Sequence, residues 1–313
     1  MSSTSIAILG VTGGIGHAAA TAFHAAGWRV TGFARANRRP IQGVDFIAGN
    51  ADSVDDLRAA TQGADVVFNA LNLPYHQWGG GAAEGLMNRV ISASHGKTML
   101  FPGNIYNYAA TDRRITPATP QRPHTYRGAI RQRMESALES AAKAGDLRAI
   151  ILRAGNFYGS PFGGDFFDQL ILREAAKGKI CLNPKREIPN AWAWLPDLAA
   201  TFLALAGRRE TFEDFETFHF AGHLASADET FAAIQKAVPH RRLKQTGTPW
   251  ALLRTMGIFS PLIRGLVEMR YIWDNEIGLE DERLEKILGE NFGATHEAAI
   301  AKVAKPYFSR QAA

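Results

Sequence analysis

The chain has 313 residues, 46% of them hydrophobic and 21% charged, with a formal net charge of +5. That balance describes a globular protein with a substantial core and excludes a disordered or collagen-like chain. Basic residues form no block interleaved with aromatics, which argues against a nucleic-acid surface, and the single Cys181 excludes an internal disulfide and suits a cytoplasmic location.

The strongest local signal comes first. Residues 6–9 read as a short buried strand and 17–26 as an alanine-rich helix, joined by Gly10-x-x-Gly13-x-x-Gly16. The first glycine lets the backbone reverse, the second lets it approach a pyrophosphate, and the third lets helix and strand pack closely. The helix N-terminus then faces the negative charge. Thr12, Gly14 and Ile15 lie inside the turn and are expected to touch the dinucleotide with the three glycines. No basic segment precedes this apolar run, so a signal peptide is not expected.

A second strand over 28–34 ends at Arg35, followed by Arg38 and Arg39, with no acidic residue before Asp45. A carboxylate there would accept bonds from a free ribose hydroxyl, whereas a guanidinium pairs with a 2′-phosphate. NADP(H) is therefore favoured over NAD(H), with Arg35 the best placed of the three. A strand over 43–48 leads to Asn50 and Ala51, where an adenine ring would lie, then to a helix over 54–61. A strand over 64–71 carries Asn69, Ala70 and Leu71 towards the ribose and pyrophosphate. Beyond it, Tyr75 and Trp78 precede Gly79-Gly-Gly81 at the strand end where substrate would bind, though Trp78 reads equally as an anchor for its own loop. A helix over 82–94, a strand over 98–102, a helix over 130–144 and a strand over 147–153 follow. This alternation predicts an α/β fold with a doubly wound parallel sheet covered on both faces.

After residue 155 the rhythm changes. Glycine, proline and aromatics cluster over 157–164, and helices are predicted at 166–176, 198–206, 226–238, 250–256, 260–272 and 297–304. The expected organisation is a nucleotide-binding domain over 1–154 and a smaller, mostly helical substrate lobe over 155–313, some of whose elements return to the sheet. The apolar stretch 250–267 is interrupted by Arg254, Pro261 and Arg264, so no membrane span is expected. His219 and His223 are four apart but lack an acidic partner, so they read as structural histidines and no metal site is expected.

Five segments occur in one order: the glycine turn, Phe101-Pro-Gly-Asn-Ile-Tyr106, Leu152-Arg-Ala-Gly-Asn-Phe-Tyr-Gly159, Trp192-Ala-Trp-Leu-Pro-Asp197, and the tail over 278–289. Together they resemble the extended or atypical short-chain dehydrogenase/reductases, the NAD-dependent epimerase/dehydratase group, over nearly the whole chain. The resemblance implies a Rossmann-type fold with Gly103, Ala154 and Gly155 near the nicotinamide and Asn156 at the substrate. Relatives pair a tyrosine and a lysine as Tyr-x-x-x-Lys, the lysine lowering the tyrosine pKa. Here Tyr126 takes the tyrosine position and Ile130 the lysine position, and of the nearby arginines only Arg133 is expected to recur near the Tyr126 face. The family's Ser/Thr position falls on Pro102, leaving Asn104 as the nearest side-chain donor.

The implied reading is an NAD(P)-dependent oxidoreductase or epimerase-like enzyme acting on a small carbonyl or hydroxyl compound. Tyr126 or a water would be the proton donor, and Asn104 and Asn156 would orient the substrate oxygen. Loss of the lysine supports a second reading, a catalytically silent NADP(H)-binding sensor or scaffold. Exposed helices of such a fold commonly pair, which makes a homodimer an expectation as well.

Overall fold

A computed structural model describes residues 4–309. Its first half alternates strand and helix: β1 (Ser5–Leu9), α1 (Gly14–Ala25), β2 (Arg29–Ala34), β3 (Asp45–Ala48), α2 (Val54–Thr61), β4 (Val66–Asn69), α3 (Ala82–Ala93), β5 (Thr98–Gly103), β6 (Arg114–Ile115), α4 (Tyr126–Lys143) and β7 (Arg148–Ala154). The second half contains β8 (Asn156–Tyr158), β9 (Lys179–Leu182), β10 (Asn190–Trp194), α5 (Leu195–Gly207), β11 (Phe215–Phe220), β12 (His223–Ala225) and α6 (Ala227–Ala237). It closes with β13 (Lys244–Gly247), α7 (Trp250–Gly257), α8 (Pro261–Glu268), α9 (Tyr271–Asp274), β14 (Gly278–Leu279), α10 (Glu282–Leu288) and α11 (His296–Ser309).

Seven strands form one parallel sheet in the order β11-β7-β5-β4-β1-β2-β3. Period-two alternation explains why it is buried on both sides. Ile6, Ile8, Val66, Phe68, Leu100, Ile150 and Leu152 point into a core with α1 and α5. Leu9, Val67, Met99, Phe101, Ala149 and Ile151 point the other way, onto α2, α3 and α4. Each fully buried Leu, Ile or Phe contributes roughly 1.5–3 kcal/mol. A third core, built on Trp192, Trp250, Trp273, Phe167 and Ile300, joins the later residues to Ile105, Tyr108 and Ile115. The strand order reverses beside β1, and that switch places the binding crevice above the carboxyl ends of β1 and β4.

Several predicted helices differ in their bounds from those observed, and three of the differences have a clear physical reason. α4 begins at Tyr126 rather than 130, because the Thr125 hydroxyl accepts from the Gly128 N–H at 3.1 Å and caps an earlier turn. Only from Ile130 onward do apolar residues recur at helical spacing, which hides that first turn from a periodicity reading. The run 166–176 is a π-helical turn over Phe167–Ile171 and a 3₁₀ turn over Ala175–Lys177, stopped by Gly178 at φ 72°. The run 260–272 is split into α8 and α9 at Met269–Arg270. Among the described residues no helix is long and apolar enough to cross a membrane.

Candidate functional site

The glycine turn leaves β1 with Gly10 at φ +88°, a conformation open to glycine and costly for most other residues. A Cβ on Gly16 would fall inside the Gly10 carbonyl oxygen, so α1 can start this close to the strand only without one. Gly13 precedes the helix in an extended conformation and provides no side-chain cap, so the first-turn N–H groups face outward without a side-chain partner. A bare turn and an uncapped helix start fit a diphosphate.

Arg39 folds back over this turn. Its Nη1 donates to the Thr12 carbonyl at 2.7 Å, and its guanidinium lies 3.9 Å from the centre of the Phe162 ring. Arg35 and Arg38 remain exposed at the end of β2. Asn50 and Ala51 follow β3; the Asn50 N–H donates to Asp56 at 2.7 Å, and the Ala51 carbonyl accepts from Arg89 at 3.0 Å. Asn69 is buried at the end of β4, where its side chain accepts from the Leu71 N–H at 3.2 Å.

Beyond the turn a cleft of about 330 Å³ opens between the sheet and α8–α9. It gathers Ile15, Asn69, Ala70 and Leu71 with Gly103, Asn104, Ala154, Gly155 and Asn156, residues far apart in sequence. Tyr75 and Trp78 join them. Trp78 is 2% exposed and donates its indole N–H to the Leu73 carbonyl at 2.7 Å, so it anchors its loop while also lining the cleft. Asn104 accepts from the Tyr106 N–H at 3.0 Å through its carbonyl oxygen. Asn156 donates to the Ala191 carbonyl at 3.3 Å.

Two groups that the sequence reading left without a role hold the centre of the cleft. Tyr106 shares a short hydroxyl–hydroxyl hydrogen bond with Tyr75. Burial pushes the Tyr106 hydroxyl well above the ordinary phenol value and moves Tyr75 in the same direction, so both hold their protons at neutral pH. Beside them Arg131 is 6% exposed, with Nη2 donating to the Pro102 carbonyl at 2.6 Å, its guanidinium 4.6 Å from the centre of the Phe101 ring, and Nε lacking a hydrogen-bond partner among the described residues. Among the described residues no carboxylate lies within ion-pair distance of it. Burial, its largest influence, pulls the guanidinium pKa downward.

The structure does not bring Tyr126 to Asn104. Tyr126 is 58% exposed at the first turn of α4, with its hydroxyl against Gly79. Ile130 is 1% exposed and packs into the core under the sheet. One residue further, about 100° around the helix, Arg131 points into the cleft. Arg133, seven residues beyond Tyr126 on the same helix, pairs with Glu84 at 2.7 Å on the surface. The cation of this cleft is thus Arg131, a position that counting along the sequence passes over.

Behind the cleft floor lies a closed polar network. Arg153 and Glu135, 2% and 3% exposed, form an ion pair. Arg153 Nη1 also lies 3.3 Å from His219 Nε2, which in turn sits 3.0 Å from the Tyr108 hydroxyl. Among the described residues no group of His, Cys, Asp and Glu could hold a metal ion. Burial lowers the His219 pKa from 6.5 to about 4. Between those values the unfolded chain binds the proton and the folded one does not. The stability contributed by His219 is therefore complete above pH 6.5 and is lost as pH falls towards 4. An NMR titration of this ring is expected to find its midpoint near 4, and one near 6.5 would contradict the buried neutral imidazole.

The model of the NAD dependent epimerase/dehydratase family matches residues 6–219. No curated protein matches the chain by sequence. Among solved structures, UDP-glucose 4-epimerase from Brucella ovis in complex with NAD is similar at TM-score 0.78 and 14% identity, covering 98% of both chains. UDP-N-acetylglucosamine 4-epimerase from Bacillus cereus has TM-score 0.73 and 14% identity, covering 97% of this chain and 96% of that one. UDP-glucose 4-epimerase from Bifidobacterium longum, in complex with NAD+ and UDP, has TM-score 0.73 and 15% identity, covering 99% of each. At these identities the likeness is one of fold.

Proposed function

Because the chain belongs to the NAD dependent epimerase/dehydratase family, we propose that it is an NAD(P)-dependent oxidoreductase or epimerase-like enzyme acting on a small carbonyl or hydroxyl compound. The observation that carries this reading is Arg131, a buried cation with no carboxylate within ion-pair distance among the described residues, beside the Tyr75–Tyr106 hydroxyl pair and directly beyond the glycine turn; Glu135, the carboxylate that acts on it, is engaged by Arg153. Leaving such a charge unpaired is costly, and an oxygen that gains negative charge during reaction would offset that cost. The nicotinamide, when bound, supplies hydride donation or acceptance. Tyr106 gives its proton to the substrate oxygen, and Tyr75 holds the Tyr106 hydroxyl in place. Asn104 keeps its amide NH₂ available to orient the same oxygen, with Asn156 alongside.

The preferred cofactor in this proposal is NADP(H). Arg35, exposed at the end of β2, is the group for a 2′-phosphate, and Arg39 closes over the turn from the other side. A charge-assisted bidentate pair is worth roughly 1.5–3 kcal/mol, so NADPH is expected to bind about 10- to 100-fold more tightly than NADH. Fluorescence titration of both cofactors checks this, with Arg35→Asp expected to remove the difference. Equal affinities in the wild type would sink it. The silent-sensor reading draws on Ile130 in the core and makes a separate forecast: NADPH binds, yet no carbonyl compound oxidises it.

A further inference from the structure

The cleft has its cation among one group of polar side chains and a run of large apolar side chains apart from it. Tyr75, Asn104, Tyr106 and Arg131 form the floor, and Phe157, Phe166, Leu266, Met269, Ile272 and Trp273 form an apolar wall, flanked by Asn156 and Asp165. Arg131 is the only cation in the lining and Asp165 the only carboxyl group, and Arg131 is held down at the Pro102 carbonyl. The other arginines near the wall are committed elsewhere. Arg127 pairs with Glu268 and donates to the Tyr75 carbonyl at 3.1 Å. Arg270 pairs with Asp274 at 3.0 Å and lies over Trp250. A diphosphate on the wall side would meet hydrocarbon and one acidic group, and no positive charge.

Nor does the cleft continue behind that wall. Phe166 stacks on Trp273 with centroids 4.6 Å apart, and Trp192 meets Trp273 edge-on at 5.3 Å. The cavity beyond them, bounded by Cys181, Trp192 and Trp250, measures about 20 Å³. That is room for about one water molecule.

We infer that this site takes an uncharged, mainly apolar carbonyl or secondary-alcohol compound, its oxygen on Tyr106 and Arg131 and its hydrocarbon body along Leu266, Met269, Ile272 and Trp273, and that it refuses nucleotide-diphosphate sugars. This deepens the oxidoreductase reading and rests on it for what happens at the oxygen. The hydrocarbon end rests on the wall alone.

The test is a binding series on the full chain without cofactor, read by tryptophan fluorescence, because Trp78 and Trp273 line the cleft. Methyl ketones from butanone through decanone are titrated beside UDP-glucose. Each added methylene is expected to tighten Kd about fourfold until the wall is covered, while UDP-glucose neither quenches nor displaces the ketone. Affinity independent of chain length, or displacement by UDP-glucose, would overturn the inference. Leu266→Lys, with an unchanged unfolding midpoint, is expected to weaken decanone at least tenfold; wild-type affinity in that variant would also count against it. NADPH oxidation is then followed with the tightest ketone. Tight, length-dependent binding without oxidation would refute the enzyme reading while leaving the ligand class standing.

Discussion

Replacing Arg131 with methionine is expected to lower kcat/KM by about 100- to 1000-fold while the protein stays folded. That is the loss found when a pre-positioned donor to a developing oxyanion is removed. The accompanying stability result is what separates function from scaffolding. Arg131 is a buried guanidinium whose Nε has no hydrogen-bond partner among the described residues and whose Nη2 donates to the Pro102 carbonyl. Removing it relieves a desolvation cost that Glu135, engaged by Arg153, offsets only in part, so the unfolding midpoint is expected to hold or rise. Tyr106→Phe should lose activity alongside it, whereas Tyr126→Phe should change turnover less than about twofold. Steady-state NADPH oxidation with a ketone substrate measures all three. Full activity in Arg131→Met would remove the observation on which the proposed function stands.

The second large effect lies behind the floor and acts on stability. Glu135→Leu is expected to cost about 3–5 kcal/mol, because Arg153 would keep its charge in a site 2% exposed with its carboxylate gone. His219 offers no replacement, since its ring is held neutral by burial. Pairing Glu135→Leu with Arg153→Met should recover part of the loss, as one of the two buried guanidiniums that Glu135 serves then disappears with it. Urea unfolding of the single and double variants checks both statements. A single variant within about 1 kcal/mol of wild type would show that water reaches the pair.

The sheet was legible because each strand announces both of its faces. In β1, Ile6 and Ile8 serve one core and Leu9 the other, and the same alternation runs through β4, β5 and β7. The glycine turn was legible for a related reason: close approach between Gly16 and the Gly10 carbonyl admits no other residue. The centre of the cleft was not. Ile130, Met134, Leu138 and Ala141 form the apolar stripe of α4, and Arg127, Arg131 and Glu135 form a second stripe beside it at four-residue spacing. A displacement of one position separates core from cleft, and only the cap at Thr125 and the packing against β5 fix that phase. The two stripes are the signal that could have found Arg131. The Tyr75–Tyr106 contact joins residues 31 apart through folding of the loop after β4, for which no spacing rule exists.

The apolar wall has a consequence for descent. Its late part, Leu266 to Trp273, is one uninterrupted piece of chain, whereas the polar floor is assembled from α4 and the loops after β4 and β5. The Arg127–Glu268 clasp fixes the position of α8 from outside the ligand space. Mutations at Leu266, Met269, Ile272 or Trp273 can therefore exchange one ligand body for another without disturbing the groups proposed to act on the oxygen. A lineage carrying this arrangement is free to diversify in what it recognises while inheriting its chemistry intact.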